Sequence, residues 1–199
     1  MDAKYEEIEA KFLDIDVNKI QEKLKEFGAV KIGEFLQKWA TFDYPDWRLD
    51  KDLSWIRVRD EGNGEISLSF KKRLGAVDRN ASSNDEGMQE IQLKIDSFEK
   101  ATDFFKAIGF VVKHTAEKKR IRWVKEDTEF DIDIYPGLEP MIEIETTSQE
   151  KIKTSAEALG LNYEDRKIFS SSQAYALKGI DVGSLVKISF EEGLIKRDN

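Results

Sequence analysis

Two periodicities divide the chain. From Glu7 to Phe12 polar and apolar residues alternate, with Glu7, Glu9 and Lys11 on one side and Ile8, Ala10 and Phe12 on the other, the period-two mark of a half-buried strand. The pattern then changes. Val17, Ile20, Leu24 and Phe27 recur at spacings of three and four, which places them on one face of a helix; Asp16 or Asn18 can cap it and Gly28 can end it. Alternating runs follow over about 34–44, 53–60 and 65–73, the last two joined by a turn containing Asn63-Gly64, a strong hairpin signal. The succession then repeats. Glu90 to Lys94 resembles Glu7 to Lys11, Ser97 can cap a helix striped by Phe98, Ala101, Phe105 and Ile108, and Gly109 ends it. Strands are predicted over 117–125, 129–135 and 141–146, with Pro136-Gly137 in the last turn. Each half reads strand, helix, three strands. That content predicts an α+β fold whose mainly antiparallel sheet curves or closes. The remaining stretches are a long polar loop at 74–87, a candidate lid, and a tail with helices near 148–159 and 170–178 and a strand-like piece at 184–190.

The polar side of these strands is charged throughout. Arg57 and Arg59 oppose Ile56 and Val58; Lys71 and Arg73 oppose Leu68 and Phe70; Glu90, Gln92 and Lys94 oppose Ile91, Leu93 and Ile95. Lys118, Arg120 and Arg122 oppose Ile121, Asp131 and Asp133 oppose Phe130, Ile132 and Ile134, and Glu143 and Glu145 oppose Ile142 and Ile144. Alternation alone leaves open whether this face meets water or encloses a space. Two features favour enclosure. Acidic strands stand at the start and end of the chain with paired arginines between, whereas solubility needs only mixed signs. The helices also carry apolar stripes that would cover the sheet's apolar face and leave the charged face concave. Like charges brought together in such a lumen repel by several kcal/mol each at moderate effective dielectric, so a cation-rich lining makes sense when a polyanion fills it.

Composition narrows the chemistry further. Of 199 residues 36% are charged, 40 Asp and Glu against 32 Lys and Arg, for a net charge of -8. That balance argues against a broad nucleic-acid face, which needs clustered cations. The chain has no Cys and a single His, His114, which excludes disulfides, thiolate chemistry and multi-histidine metal sites. With no G-x-S-x-G context, His114 is expected to be a surface or strand-edge residue. The N-terminus is charged from its second residue and no apolar run approaches the length of a membrane span, so a cytoplasmic location is expected.

Glu7-x-Glu9-x-Lys11, Arg57-x-Arg59, Lys71, Lys118-x-Arg120, Asp133 and Glu143-x-Glu145, in this order over most of the chain, resemble the CYTH superfamily, the triphosphate tunnel metalloenzymes that include class IV adenylate cyclases and thiamine triphosphatases. The resemblance implies an eight-stranded antiparallel closed β-barrel with helices outside, spanning residues 1–178, and it has no counterpart for the C-terminal extension 179–199. It implies that Lys11, Arg57, Arg59, Lys71, Lys94, Lys118, Arg120 and Arg122 bind a triphosphate, and that Glu7, Glu9, Asp133, Glu143 and Glu145 hold Mg2+ or Mn2+. Glu7, Glu9 and Lys71 would be catalytic, the first two by orienting water for in-line attack and the lysine by stabilising the leaving group. Gln92 stands where a second glutamate is common, Glu139 replaces a turn glycine and Trp39 takes a place that is often acidic. Tyr175 lies in a Ser-x-x-Tyr stretch of the family type, as packing or as substrate contact. The implied function is a metal-dependent triphosphate hydrolase acting on inorganic, nucleoside or other organic triphosphates. The alternatives are a class IV type adenylate cyclase and a non-catalytic triphosphate- or polyphosphate-binding protein. The expected partner is a triphosphate-containing small molecule, without extended nucleic acid or membrane; a homodimer is left open.

Overall fold

The structure is a computed structural model that describes residues 6–75 and 84–198, with Glu6 and Glu7 described in their backbone only. The chain opens with β1 (Glu6–Glu7) and β2 (Glu9–Phe12), one extended stretch interrupted at Ile8, followed by α1 (Val17–Glu26), β3 (Val30–Asp43), α2 (Arg48–Lys51), β4 (Ser54–Asp60) and β5 (Ile66–Leu74). The second half repeats this with β6 (Gly87–Ile95), α3 (Phe98–Ala107), β7 (Val111–Lys125), β8 (Thr128–Ile134) and β9 (Met141–Glu145). The tail adds α4 (Gln149–Ala158), α5 (Ser171–Leu177), β10 (Leu185–Ser189) and β11 (Gly193–Lys196).

The sheet runs in the order β1-β6-β5-β4-β3-β7-β8-β9-β2. Because β1 and β2 are the same stretch of chain, its two ends meet at Ile8 and the sheet curls round upon itself. The ring closes only approximately, since the β1–β6 seam consists of two pairs, Glu6↔Gln89 and Glu7↔Met88. Every neighbouring pair along this path is antiparallel. Strands β3 and β7 begin earlier than their alternation suggests, at Val30 and Val111, and pair along nearly their whole length. Register shifts at Lys31/Gly33 and Thr41/Phe42 blur the period-two pattern there.

Apolar stripes explain the layers. Ile20 and Leu24 of α1 and Ile152 and Ala156 of α4 pack on Ala10, Phe12, Phe130, Ile132, Ile142 and Ile144, the outer face of β2, β8 and β9. Phe105 of α3 packs with Ala40, Phe42 and Val58 on the outer face of β3 and β4. The sheet's apolar side is thus covered and its charged side is concave. Asp16 and Ser97 cap α1 and α3 as expected. Helix α2 was not expected: it is a single turn organised by Asp43, whose carboxylate accepts from the backbone N–H of Tyr44, Leu49 and Asp50 at 2.7, 3.0 and 2.9 Å.

The tail is docked on the ring. β10 pairs in parallel with β7 through Lys187↔Thr115 and Ile188↔Ala116 and forms a hairpin with β11. Arg197 donates to the Lys113 carbonyl at 2.6 Å and lies over the Trp47 ring. Most of the candidate lid, residues 76–83, lies outside the described residues. Its returning end is anchored by Asp85, which accepts two bonds from Arg73 at 2.6 and 2.8 Å in a buried fork.

Candidate functional site

Alternation carries the charged side chains inward from every wall. Glu9 and Lys11 of β2, Arg57 and Arg59 of β4, Lys71 of β5, Lys118 and Arg120 of β7, and Glu143 and Glu145 of β9 line one cavity of about 530 Å3. That size suits a ligand larger than a single ion, since small-molecule pockets span about 300–1,000 Å3. Two of the expected phosphate ligands sit at its mouth. Lys94 has a side chain 71% exposed and pairs with Glu65, and Arg122 is 31% exposed and pairs with Asp131 and Glu129.

The lumen is not the excess of cations that the strand pattern suggests. Each cation meets a carboxylate: Lys11 meets Glu9 and Glu143 at 2.5 and 2.7 Å, Arg59 meets Glu61 at 2.7 Å, and Lys71 meets Glu90 at 2.9 Å. Arg120, with a side chain 6% exposed, contacts Asp131, Asp133 and Glu143 at 2.5, 2.6 and 3.1 Å. Glu61 escaped the sequence pattern because it lies beyond the end of β4, in the turn; it also accepts from Gln37 and Ser67. Arg57 is the most loosely held of these cations. Its ion pair with Glu90 is 3.4 Å long, and its buried Nε has no hydrogen-bond partner among the described residues. Gln37 and His114 also line the cavity, and Gln37 Oε1 and His114 Nδ1 are likewise buried without partners among the described residues. Buried polar atoms in that condition are uncommon and call for a ligand or water.

The acidic residues divide into two sets. Glu9, Glu143 and Glu145 each offer an oxygen within 4.8 Å of the others. This all-oxygen donor set is of the kind that hard divalent cations take, so these residues fit a metal. The Lys11 ammonium, between Glu9 and Glu143, stands where a cation belongs. Glu7 shares the alternation, but its side chain lies outside the described residues. Asp133 stands apart from the three carboxylates: it is buried and accepts from Lys118 Nζ at 2.6 Å and Arg120 Nε at 2.7 Å, an arrangement that aims the two cations.

Burial and these neighbours shift the titrations. Burial pushes the Glu145 carboxyl up to about 7, and the negative charges of Glu143, Glu9 and Glu129 add to it. Burial opposes ionisation of Glu143 too, but Lys11, Arg120 and Lys118 overcome it and hold that carboxyl well below its ordinary range. Lys118 is pushed down to about 7 by burial and by Arg120, in spite of its contact with Asp133. Burial and Arg57 bring Arg59 down to about 10, so it stays charged at neutral pH.

The CYTH domain family description matches residues 6–173. The chain belongs to the CYTH domain family. It is 31% identical over 139 residues to a Methanocaldococcus jannaschii protein named "Putative adenylate cyclase MJ0240", covering 70% of this chain and 75% of that one. Among solved structures, one titled as a putative adenylate cyclase from Vibrio parahaemolyticus superposes with a TM-score of 0.71 at 15% identity, covering 87% of this chain and 98% of that one. A Hippeastrum protein, titled a putative adenylyl cyclase with a dominant triphosphatase activity, superposes with a TM-score of 0.59 at 20% identity, covering 87% and 96%. At these identities the two structures speak to the fold alone.

The part of this CYTH chain beyond residue 173 shapes the lumen as well. On the inward face the charged rows give way to Ala116, Tyr135 and Met141, which cluster with Phe169, Ala174, Tyr175, Val182, Leu185 and Ile188. The cavity reaches this cluster, since Ala116, Tyr135, Val182 and Ile188 line it. One end of the tunnel is therefore floored by the C-terminal segment. Tyr175 is part of that packing, buried with its hydroxyl donating to the Pro136 carbonyl at 2.7 Å. His114 is the correction to the sequence reading. It shares the inward face of β7 with Ala116 and Lys118, its Nε2 lies 3.2 Å from Thr41 Oγ1, and it lines the cavity. Its strand is interior, paired with β3 at that point, so neither surface nor strand edge describes it.

Proposed function

We propose that this CYTH chain is a metal-dependent triphosphate hydrolase. The observation that carries this reading is the meeting in one cavity of the three-carboxylate group Glu9, Glu143 and Glu145 with Lys11, Arg57, Lys71, Lys118 and Arg120. Charged groups already paired with one another can accept an ion pair of opposite make-up, a polyanion with its metal, by exchanging partners without leaving either charge bare. Mg2+ or Mn2+ bound at the carboxylates would supply a Lewis acid for the phosphoryl oxygens. The chain's own residues do the rest. Arg57 and Arg120 offer forked donors to the phosphate oxygens, with Lys118 as a point charge beside them. Lys11, released from Glu9 and Glu143, turns to the same oxygens. Lys71 neutralises charge on the departing group as the P–O bond breaks, and Glu9 orients the attacking water. Asp133 and Asp131 hold the arginines in place.

Adenylate cyclase activity is the second reading, favoured by the name of the M. jannaschii relative. One experiment separates the two. Tripolyphosphate, ATP and thiamine triphosphate are each incubated with the protein and Mg2+ or Mn2+, and phosphate, pyrophosphate and cyclic AMP are quantified. The expected products are phosphate and the corresponding diphosphate, with turnover lost in Glu9→Gln. Cyclic AMP with stoichiometric pyrophosphate would replace the hydrolase reading, and tight binding without turnover would leave a triphosphate-binding protein.

A further inference from the structure

The arginines of the tunnel differ in which nitrogens are already engaged. Arg73 gives Nε and Nη2 to Asp85, and Arg122 gives the same two atoms to Asp131. Arg120 gives them to Asp133, with Nη2 shared by Glu143. Arg59 is held differently. Only its Nε is bonded, to Glu61 Oε1 at 2.7 Å, and Nη1 and Nη2 make no hydrogen bond among the described residues. Neither is one of the buried polar atoms left without a partner, so both keep surface open to the cavity that Arg59 lines. Glu61 itself is fixed from three strands. Its Oε1 also accepts from Ser67 Oγ of β5 at 2.6 Å, and its Oε2 accepts from Gln37 Nε2 of β3 at 2.7 Å. Gln37 is 3% exposed and its Oε1 has no partner among the described residues; turning the amide over would set that oxygen against the carboxylate. The turn that carries Glu61 is seated on β3 as well, because a Cβ at Gly62, whose φ is +76°, would lie 2.6 Å from the Leu36 carbonyl oxygen.

We infer that Glu61 is a positioning residue: it grips Arg59 by Nε alone and so presents the terminal N–H groups as a preorganised fork for phosphate oxygens. The inference rests on the triphosphate reading of the lumen and goes further by giving a carboxylate outside the strand pattern a role in binding. Three physical points favour it. A guanidinium is a planar donor set, so fixing Nε fixes the direction of both Nη atoms, and a long side chain ordered before the ligand arrives costs less to order when it binds. A carboxylate closed on the Nη pair would compete with the ligand, whereas one on Nε leaves those atoms to it. Arg59 also needs such a hold. Burial and the neighbouring charges of Arg57 and Arg120 bring it down to about 10, and like charges in a partly desolvated site push one another apart. Glu61 remains ionised, because burial opposes its charge but Arg59 and Ser67 outweigh that and lower its titration.

The test measures tripolyphosphate binding with Mg2+ by calorimetric titration in the wild type, Glu61→Gln, Arg59→Ala and the double variant. Arg59→Ala should weaken binding about tenfold or more, the worth of hydrogen bonds to a charged partner. Glu61→Gln should weaken it about fivefold or more, although the change removes a negative charge from the anion's surroundings. The double variant should match Arg59→Ala within about twofold, because Glu61 acts through the arginine. Guanidinium chloride, compared with sodium chloride at equal ionic strength, should strengthen binding to Arg59→Ala and do nothing for the double variant, a dependence that a general loss of folding would not produce. Tighter binding in Glu61→Gln would show a carboxylate that competes with the ligand for Arg59. That result, additive losses in the double variant, or a guanidinium effect that is absent or independent of Glu61 would overturn the positioning role and leave the triphosphate reading standing. Failure of tripolyphosphate to bind the wild type would remove both.

Discussion

Glu145→Gln should make the metal-free protein more stable while taking away its response to metal. The Glu145 carboxyl is raised from an ordinary 4.5 to about 7 by burial and by Glu143, Glu9 and Glu129. The folded protein therefore keeps this proton up to pH about 7, whereas the unfolded chain releases it near its ordinary value. Between those limits the unfolded state binds fewer protons, so stability falls as pH rises; above about 7 the penalty is complete and constant. Two and a half pH units at about 1.4 kcal/mol each come to about 3.5 kcal/mol, an upper figure for a carboxyl that keeps some contact with solvent. Glutamine carries no charge and escapes this cost. Urea denaturation of metal-free protein should show the variant within about 1 kcal/mol of the wild type at pH 5 and about 2–3 kcal/mol more stable at pH 8.5. In thermal melts the second figure corresponds to about 4–12 °C for a chain of this length. Adding Mn2+ should raise the wild type, by about 2.7 kcal/mol at a hundredfold excess over its dissociation constant, and leave the variant nearly unmoved. Parallel pH profiles for the two proteins, or a wild type that is the more stable at pH 8.5, would refute the crowding of charge at Glu145.

Other outcomes follow from the same site. The pH profile of kcat/KM for tripolyphosphate should fall above about 7, because Lys118 loses its proton there; a flat profile from about pH 6.5 to 8.5 would contradict that assignment. Lys11→Ala removes the ammonium 2.5 and 2.7 Å from Glu9 and Glu143, so calorimetry should find Mn2+ alone bound about tenfold or more tightly, with tripolyphosphate bound more weakly; weaker Mn2+ binding would show that Lys11 supports the carboxylates instead of competing for them. Asp85→Ala takes the carboxylate fork away from the buried Arg73 guanidinium and should cost about 1.5–3 kcal/mol in denaturant unfolding, the worth of hydrogen bonds to a charged group; a loss under about 1 kcal/mol would mean that the fork contributes little to holding this end of the loop.

Much of this molecule can be seen in its alternation. The strand faces that carry Glu9, Lys11, Arg57, Arg59, Lys71, Lys118, Arg120, Glu143 and Glu145 turn inward together, and the stripes of α1 and α3 cover the opposite side, because one period-two face cannot be both charged and buried against helices. What periodicity misses is whatever depends on contacts between distant segments. The balance of charge in the lumen is one case, since Glu61 pairs with Arg59 from a turn and Asp131 and Asp133 reach across from β8 to the arginines of β7. Helix α2 is another, organised by the single carboxylate of Asp43. The tunnel floor is the most consequential: Val182 and Ile188 look like ordinary tail residues until β10 is laid along β7. His114 followed the inward phase of Lys118 and Arg120 all along, but a lone histidine outside any motif gave no chemical reason to extend the strand back to it.

The central claim is that one cavity receives a triphosphate together with a divalent metal. Its most direct test is calorimetric titration of the protein with orthophosphate, pyrophosphate and tripolyphosphate in the presence of Mn2+, repeated with Arg57→Ala. One site per chain is expected, with affinity rising from orthophosphate to tripolyphosphate, and Arg57→Ala should weaken tripolyphosphate by about 10- to 150-fold, the worth of hydrogen bonds to a charged partner. Equal affinity for the three anions, or tripolyphosphate binding untouched by the loss of Arg57, would contradict it.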